Sequence, residues 1–125
     1  MIKLINRSAH DTGLPAESVH TVITSPPYFG LRKYEGEQDV DWPAVSYAPL
    51  PGLPCTVDVP AMRCPLGLEA DPYHYVGHLV LVMREMHRVL RGDGTLWLNL
   101  GDSFAGSWGN YGARNDTHSA HAKML

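Results

Sequence analysis

Three segments of the chain carry a regular apolar pattern, and the stretches between them do not. Val19-His20-Thr21-Val22-Ile23-Thr24 is strongly β-branched and nearly continuous. That is the pattern of a strand covered on both faces, as in a parallel sheet. Val76, Leu79, Val80, Met83, Met86, Val89 and Leu90 recur at three- and four-residue steps, which predicts a helix with one apolar face over roughly five turns. Asp71 suits the N-cap and Pro72 the first helical position. Arg84, Glu85, Arg88 and Arg91 mark the exposed side, and cations suit the C-terminal turn. Gly92-Asp93-Gly94 ends the helix, and Thr95-Leu96-Trp97-Leu98-Asn99-Leu100 predicts a second strand. Strand, helix and strand in this order imply a right-handed crossover and parallel pairing. The fold class is α/β with a mostly parallel sheet.

The remaining stretches read differently. Ile2-Lys3-Leu4-Ile5 is a candidate edge strand, and Asn6 to Ser18 a connection with one helical turn. Residues 35–71 form a proline-rich insertion or lid. Seven of the ten prolines lie between Trp42 and Pro72, with little periodicity around them. A loop of this length without secondary structure is uncommon in a compact domain. Residues 101–125, rich in Gly, Ser and Asn, read as a loop or tail.

The first regular strand stops abruptly. Thr24-Ser25 runs into Pro26-Pro27, which have no N–H for a sheet ladder, and then into Tyr28. The chain must leave the sheet at a carboxyl end, where open α/β sheets keep their ligand crevices. The proline rings fix φ and hold the carbonyls of Ser25 and Pro26 rigidly, beside a hydroxyl and an aromatic ring. Arg32-Lys33, the one adjacent basic pair in the chain, comes directly after and supplies candidate phosphate contacts.

Composition narrows the field. With 125 residues and 44% apolar content, the chain is one domain at most and is not built for disorder. A net charge of −3 excludes a globally basic nucleic-acid binder, though not a local basic groove. No apolar run approaches roughly 18 residues, and the N-terminus has no signal-peptide pattern, so a cytoplasmic protein without a membrane partner is expected. Cys55 and Cys64 read as free thiols. A zinc set of Cys55, Cys64, His74 and His78 is the less favoured alternative, and no metal is assigned.

Thr24-Ser25-Pro26-Pro27-Tyr28 resembles the catalytic motif of the S-adenosylmethionine-dependent DNA amino-methyltransferases of the N4-cytosine and N6-adenine type. Glu17-Ser18-Val19, Leu66-Gly67-Leu68-Glu69, Arg84-Glu85, Arg88-Val89-Leu90 and Asp93 through Ser103 look like the same family, particularly its restriction–modification members. The resemblance covers about Glu17 to Gly106. It implies a partial Rossmann-like methyltransferase sheet, with residues 1–125 as the N-terminal, catalytic-motif part. It implies S-adenosylmethionine as cofactor and DNA as partner. Ser25, Pro26, Pro27 and Tyr28 would be catalytic: the Ser25 hydroxyl and Pro26 carbonyl accepting from the base amine, Pro27 stiffening the turn, Tyr28 stacking on a flipped base. Ser before Pro-Pro-Tyr is more often associated with cytosine N4, with adenine N6 open.

The chain also departs from the family pattern. Asn6-Arg7 stands where the family commonly has a Gly-Asp pair, so that expected cofactor contact is not carried over; separately, Asp102 is a candidate cofactor contact. Gly106-Ser107-Trp108-Gly109-Asn110-Tyr111-Gly112 has no strand before it and no helix after it, so it is rejected as the cofactor loop. The expectation is a catalytic half that works with a downstream or separate cofactor-binding half. The competing expectation is an inactive remnant or a non-catalytic interaction module of the same fold.

Overall fold

Proline and glycine punctuate this chain, yet strands form on both sides of them. The computed structural model describes residues 1–30, 36 and 38–101. Its elements in order are β1 (Val19–Thr24), β2 (Val40–Trp42), β3 (Val45–Tyr47), β4 (Val57–Val59), β5 (Met62–Cys64), α1 (Pro72–Val89) and β6 (Leu90–Leu98).

The β1 strand and the Asp71 cap stand where the pattern put them. Asp71 accepts from the Tyr73 amide at 2.7 Å, and Pro72 opens the helix. The buried face is rotated from the expected one. It consists of Tyr75, Gly77, His78, Val82, Glu85, Met86 and Val89, while Val76 is exposed. Two polar residues are therefore buried, and Glu85, expected on the outer face, is one of them.

Strands β1 and β6 pair in parallel: Thr21 with Thr95, Val22 with Leu96, Ile23 with Trp97 and Thr24 with Leu98. Val19 pairs with Leu90, so Arg91 through Gly94 bulge out within β6. The Gly-Asp-Gly turn is thus absorbed into the strand. A Cβ at Gly94 would lie 3.0 Å from the His20 carbonyl oxygen, so the close approach requires glycine. The amides of Glu17 and Ser18 donate to the Arg88 and Val89 carbonyls at 3.0 and 2.9 Å, capping the end of α1.

The pair β1–β6 was expected to be covered on both faces. Among the described residues one face is open, with Ile23 81% and Trp97 65% exposed. The described residues supply one helix, which packs on the Val22 side. Ile2-Lys3-Leu4-Ile5 forms no strand, and Ile2 and Leu4 are exposed. The connection to Ser18 is made of turns and bends with no helical turn.

The proline-rich segment differs most from its expectation. It folds as a ribbon: β2 pairs with β5 and β3 with β4, both antiparallel. Trp42 opposes Met62 and Val45 opposes Val59, so one register runs through both pairs. Pro43 and Pro60 fall at the interruption between them, where neither could donate to a ladder. Alternation sends Trp42, Val45, Tyr47 and Val59 inward. Trp42 packs with Val82 and Met86, joined by Val22 from the sheet. Val45, Tyr47 and Val59 pack near Val80 and Leu81. A Cβ on Gly77 would stand 2.7 Å from Val59 Cγ2, so this glycine lets the ribbon approach α1.

Candidate functional site

The carboxyl ends of β1 and β6 lie side by side, because the Asn99 amide donates to the Thr24 carbonyl at 3.0 Å. Ser25, Pro26, Pro27 and Tyr28 leave the sheet at this rim, as the pattern required. Ser25 is exposed, Pro26 is buried, and Pro27 and Tyr28 are half-buried. Gly101, after β6, stands against the Tyr28 ring: a Cβ there would lie 2.9 Å from Cε2 and 3.3 Å from the hydroxyl. A larger residue at Gly101 would displace the ring.

The two proline carbonyls have different surroundings. Pro27 O accepts from the Tyr75 hydroxyl at 2.8 Å and is therefore occupied. Burial pushes the Tyr75 phenol above its ordinary pKa, with the Glu69 and Tyr28 groups adding to the shift, so it stays protonated as a donor. The Tyr75 ring also lies tilted against Phe29, with centroids 5.6 Å apart.

Behind the motif runs the Leu66-Gly67-Leu68-Glu69 segment. The Gly30 amide donates to the Gly67 carbonyl at 2.7 Å. The Gly67 amide donates to Glu69 Oε2 at 2.8 Å, and Glu69 Oε1 accepts from His78 Nδ1 at 2.8 Å. Both side chains are 0% exposed. The His78 ring stacks on Trp42 at 4.4 Å with an interplanar angle of 9°. His78 Nε2 has no hydrogen-bond partner among the described residues.

The zinc set of Cys55, Cys64, His74 and His78 is not assembled. Cys55 is exposed, and Cys64 and His78 are grouped instead with Glu69, their ligand atoms within 4.8 Å of one another. Within that group Glu69 and His78 are bonded directly to each other. Burial raises the Cys64 thiol above its ordinary pKa, which disfavours the thiolate that a metal or an electrophile needs. Arg32, Lys33 and Asp102 lie outside the described residues.

Sequence reasoning missed Tyr75, Gly67, Glu69 and His78 as neighbours of the motif. Gly67 and Glu69 were visible only as part of the resembling segment. Tyr75 and His78 sit one turn apart on α1, and that spacing by itself reads as packing.

The structure thus sets a strand-end prolyl turn, with exposed Ser25 and the Gly101-backed Tyr28 ring, at the rim of a parallel strand pair. The chain is related by sequence to part of the Type II methyltransferases. It is 38% identical over 91 residues to the Type II methyltransferase M.SfiI of Streptomyces fimbriatus, covering 73% of this chain and 15% of that protein. It is 34% identical to M.XycI of Xanthomonas campestris pv. cyanopsidis over 87% of this chain and 28% of that protein. Against M.Cfr9I of Citrobacter freundii the identity is 31%, over 90% of this chain and 29% of that protein. The chain thus spans less than a third of the length of each of these relatives. No family model matches the chain, and no solved structure matches it. Among the described residues, no helix is long and apolar enough to cross a membrane.

Proposed function

We propose that this chain is the catalytic-motif part of a DNA methyltransferase that moves a methyl group from S-adenosylmethionine to an exocyclic base amine, cytosine N4 in preference to adenine N6. The observation that carries the reading is the placement of Ser25 through Tyr28 at the carboxyl rim of β1, beside β6. The sheet is read as part of a Rossmann-like methyltransferase sheet. DNA is the partner, and a separate or downstream half binds the cofactor, with Asp102 as this chain's candidate contact. The relatives' Type II methyltransferase names support the reaction class.

The chemistry suits the residues. An exocyclic amine is a poor nucleophile because its lone pair is delocalised into the ring. Acceptors aimed at its N–H groups favour a pyramidal nitrogen and take up the positive charge that develops. Fixed dipoles do this without reorganising during the reaction. The exposed Ser25 hydroxyl and the Pro26 carbonyl fill this role, since the Pro27 carbonyl is already engaged by Tyr75. Tyr28, backed by Gly101, provides the ring on which a flipped base stacks. S-adenosylmethionine supplies a sulfonium-bound methyl already primed for displacement. Arg32 and Lys33 are the proposed phosphate contacts.

The test is labelled methyl transfer to DNA by this chain together with a cofactor-binding half. Tyr28→Ala and Pro26→Ala should each lower kcat/KM by roughly 5- to 150-fold, the equivalent of about 1–3 kcal/mol. Undiminished transfer by both variants overturns the site assignment. Mass spectrometry of the digested product distinguishes N4-methylcytosine from N6-methyladenine. No transfer by any form would instead favour an inactive remnant or interaction module.

A further inference from the structure

The buried Glu69–His78 pair stands directly behind the motif. Buried ion pairs are weak evidence of stabilisation, since well-packed apolar residues often do as well. A carboxylate at this position therefore calls for a use that an apolar side chain could not serve. Gly67 provides one. Its φ is +92°, its amide points inward, and Glu69 Oε2 accepts from it at 2.8 Å. No leucine or methionine could satisfy that amide, and leaving a buried donor unsatisfied is destabilising.

Gly67 also lies against the backbone that follows the motif. Its carbonyl accepts from the Gly30 amide at 2.7 Å. A Cβ on it would lie 2.8 Å from the Tyr28 carbonyl oxygen and 3.4 Å from Pro27 Cβ. One peptide unit on each side of Gly67 thus joins Glu69 to the backbone of Tyr28 through Gly30. His78 fixes the other carboxylate oxygen, and its own ring is fixed by stacking on Trp42.

We propose that Glu69, seated against His78, is a positioning residue for the Ser25–Gly30 motif: its carboxylate holds the Gly67 turn, and that turn holds Tyr28 through Gly30 in place. The path runs from the core through His78 Nδ1, Glu69 and Gly67 to the Gly30 amide, with no solvent-exposed side chain on it. Tyr75 provides a second hold on the Pro27 carbonyl, so the turn is fixed at two places. The clamp stands on geometry alone. Its use in catalysis rests on the methyl-transfer reading above.

Amide hydrogen exchange on the full chain tests the clamp directly. Glu69→Ala should speed exchange at Gly30 by roughly tenfold or more relative to the Val82–Val89 amides of α1. Glu69→Gln keeps a carbonyl oxygen for the Gly67 amide and should restore Gly30 protection to within about threefold. A burial defect alone would not separate these two variants in this way. Gly67→Ala leaves the Glu69–His78 pair intact and pushes against Tyr28, so it should raise Gly30 exchange too, and it serves if Glu69→Ala does not fold. Gly30 exchange that rises no more than the helix amides in Glu69→Ala, or in Gly67→Ala where that variant is used instead, overturns the proposal. In the methyl-transfer assay, Glu69→Ala should lower kcat by about tenfold with little change in the KM for DNA, and Glu69→Gln should recover it. A failed Tyr28→Ala test would remove the functional reading, while the exchange result would still decide the clamp.

Discussion

The two halves of α1 each engage a buried glutamate, and they do so in opposite ways. Near the N-terminal half, Glu69 meets His78 with both side chains 0% exposed. In the C-terminal half, Glu85 is 9% exposed and meets Arg88, which is 43% exposed. The first carboxylate is dry and serves a backbone amide of the motif turn. The second lies at the margin of the core and serves the N-terminal segment. Glu85 Oε1 accepts from the Thr12 amide at 3.0 Å and the Thr12 hydroxyl at 2.6 Å. Arg88 donates to both Glu85 oxygens and to the Leu14 carbonyl at 2.7 Å. The Arg88 hydrogen bond, aided by Thr12, pulls the Glu85 carboxyl down from 4.5 to about 2. The difference separates two jobs: a buried histidine partner fixes local geometry, and an arginine ties down a distant segment.

Breaking the dry pair should produce the largest effect. His78→Leu keeps the volume but leaves one oxygen of a buried carboxylate without its partner. A loss of about 3–5 kcal/mol is expected in denaturant unfolding. An unchanged midpoint would show that Glu69 finds another partner.

The marginal pair should cost less and carry a pH signature. A carboxyl depressed in the folded state stabilises above its unfolded pKa and loses that contribution as pH falls through the folded value. Glu85 therefore contributes fully above about 4.5 and loses its contribution towards pH 2. Glu85→Gln should lower stability at neutral pH by about 2 kcal/mol, a figure reduced for the half-exposed Arg88. The variant should also have a flatter stability profile between those two pH values. Equal slopes in variant and parent would contradict the assignment.

Two smaller effects sharpen the contrast within the N-terminal half. Gly77→Ala gains helix propensity of about 1 kcal/mol but drives a methyl towards Val59. A net loss of about 1–2 kcal/mol is expected, and a net gain would mean that the ribbon can move away. Asp71→Ala removes the cap on the Tyr73 amide and should cost about 1 kcal/mol, read as a shift in thermal midpoint.

Strong local signals made part of this molecule readable. The β-branched run of β1, the Asp71-Pro72 start and the parallel partner in β6 all depend on near neighbours in sequence. The ribbon was hidden because each of its strands has three residues and prolines interrupt it. A period-two signal was present, in Val40-Asp41-Trp42, Val45-Ser46-Tyr47 and Val57-Asp58-Val59, on both sides of Pro51-Gly52. The helix face was misplaced for a different reason. Apolar periodicity assigns charged and polar residues outward, yet His78 is buried with its Nδ1 held by Glu69, and Glu85 is buried with Thr12 and Arg88 on its carboxylate. Apolar periodicity along the helix does not reveal such partners, whether nine positions away, as Glu69 is from His78, or 73, as Thr12 is from Glu85. At the rim, the Pro-Pro stop located the turn, but the Tyr75 and Gly67 contacts behind it appear only in three dimensions.

The uninterrupted register of the ribbon also bears on how the chain finds its fold. The parallel sheet joins Thr21 to Thr95, 74 positions apart. Closing so long a loop from a disordered chain carries an entropic penalty, and non-local pairings of this kind are slow to form. Pairing Val40 with Cys64 short-circuits the chain between them, and α1 shortens the stretch from Pro72 to Val89. The ribbon and helix should therefore form early and the β1–β6 pairing last. The rim bearing Ser25 through Tyr28 would then be completed only in the final step of folding.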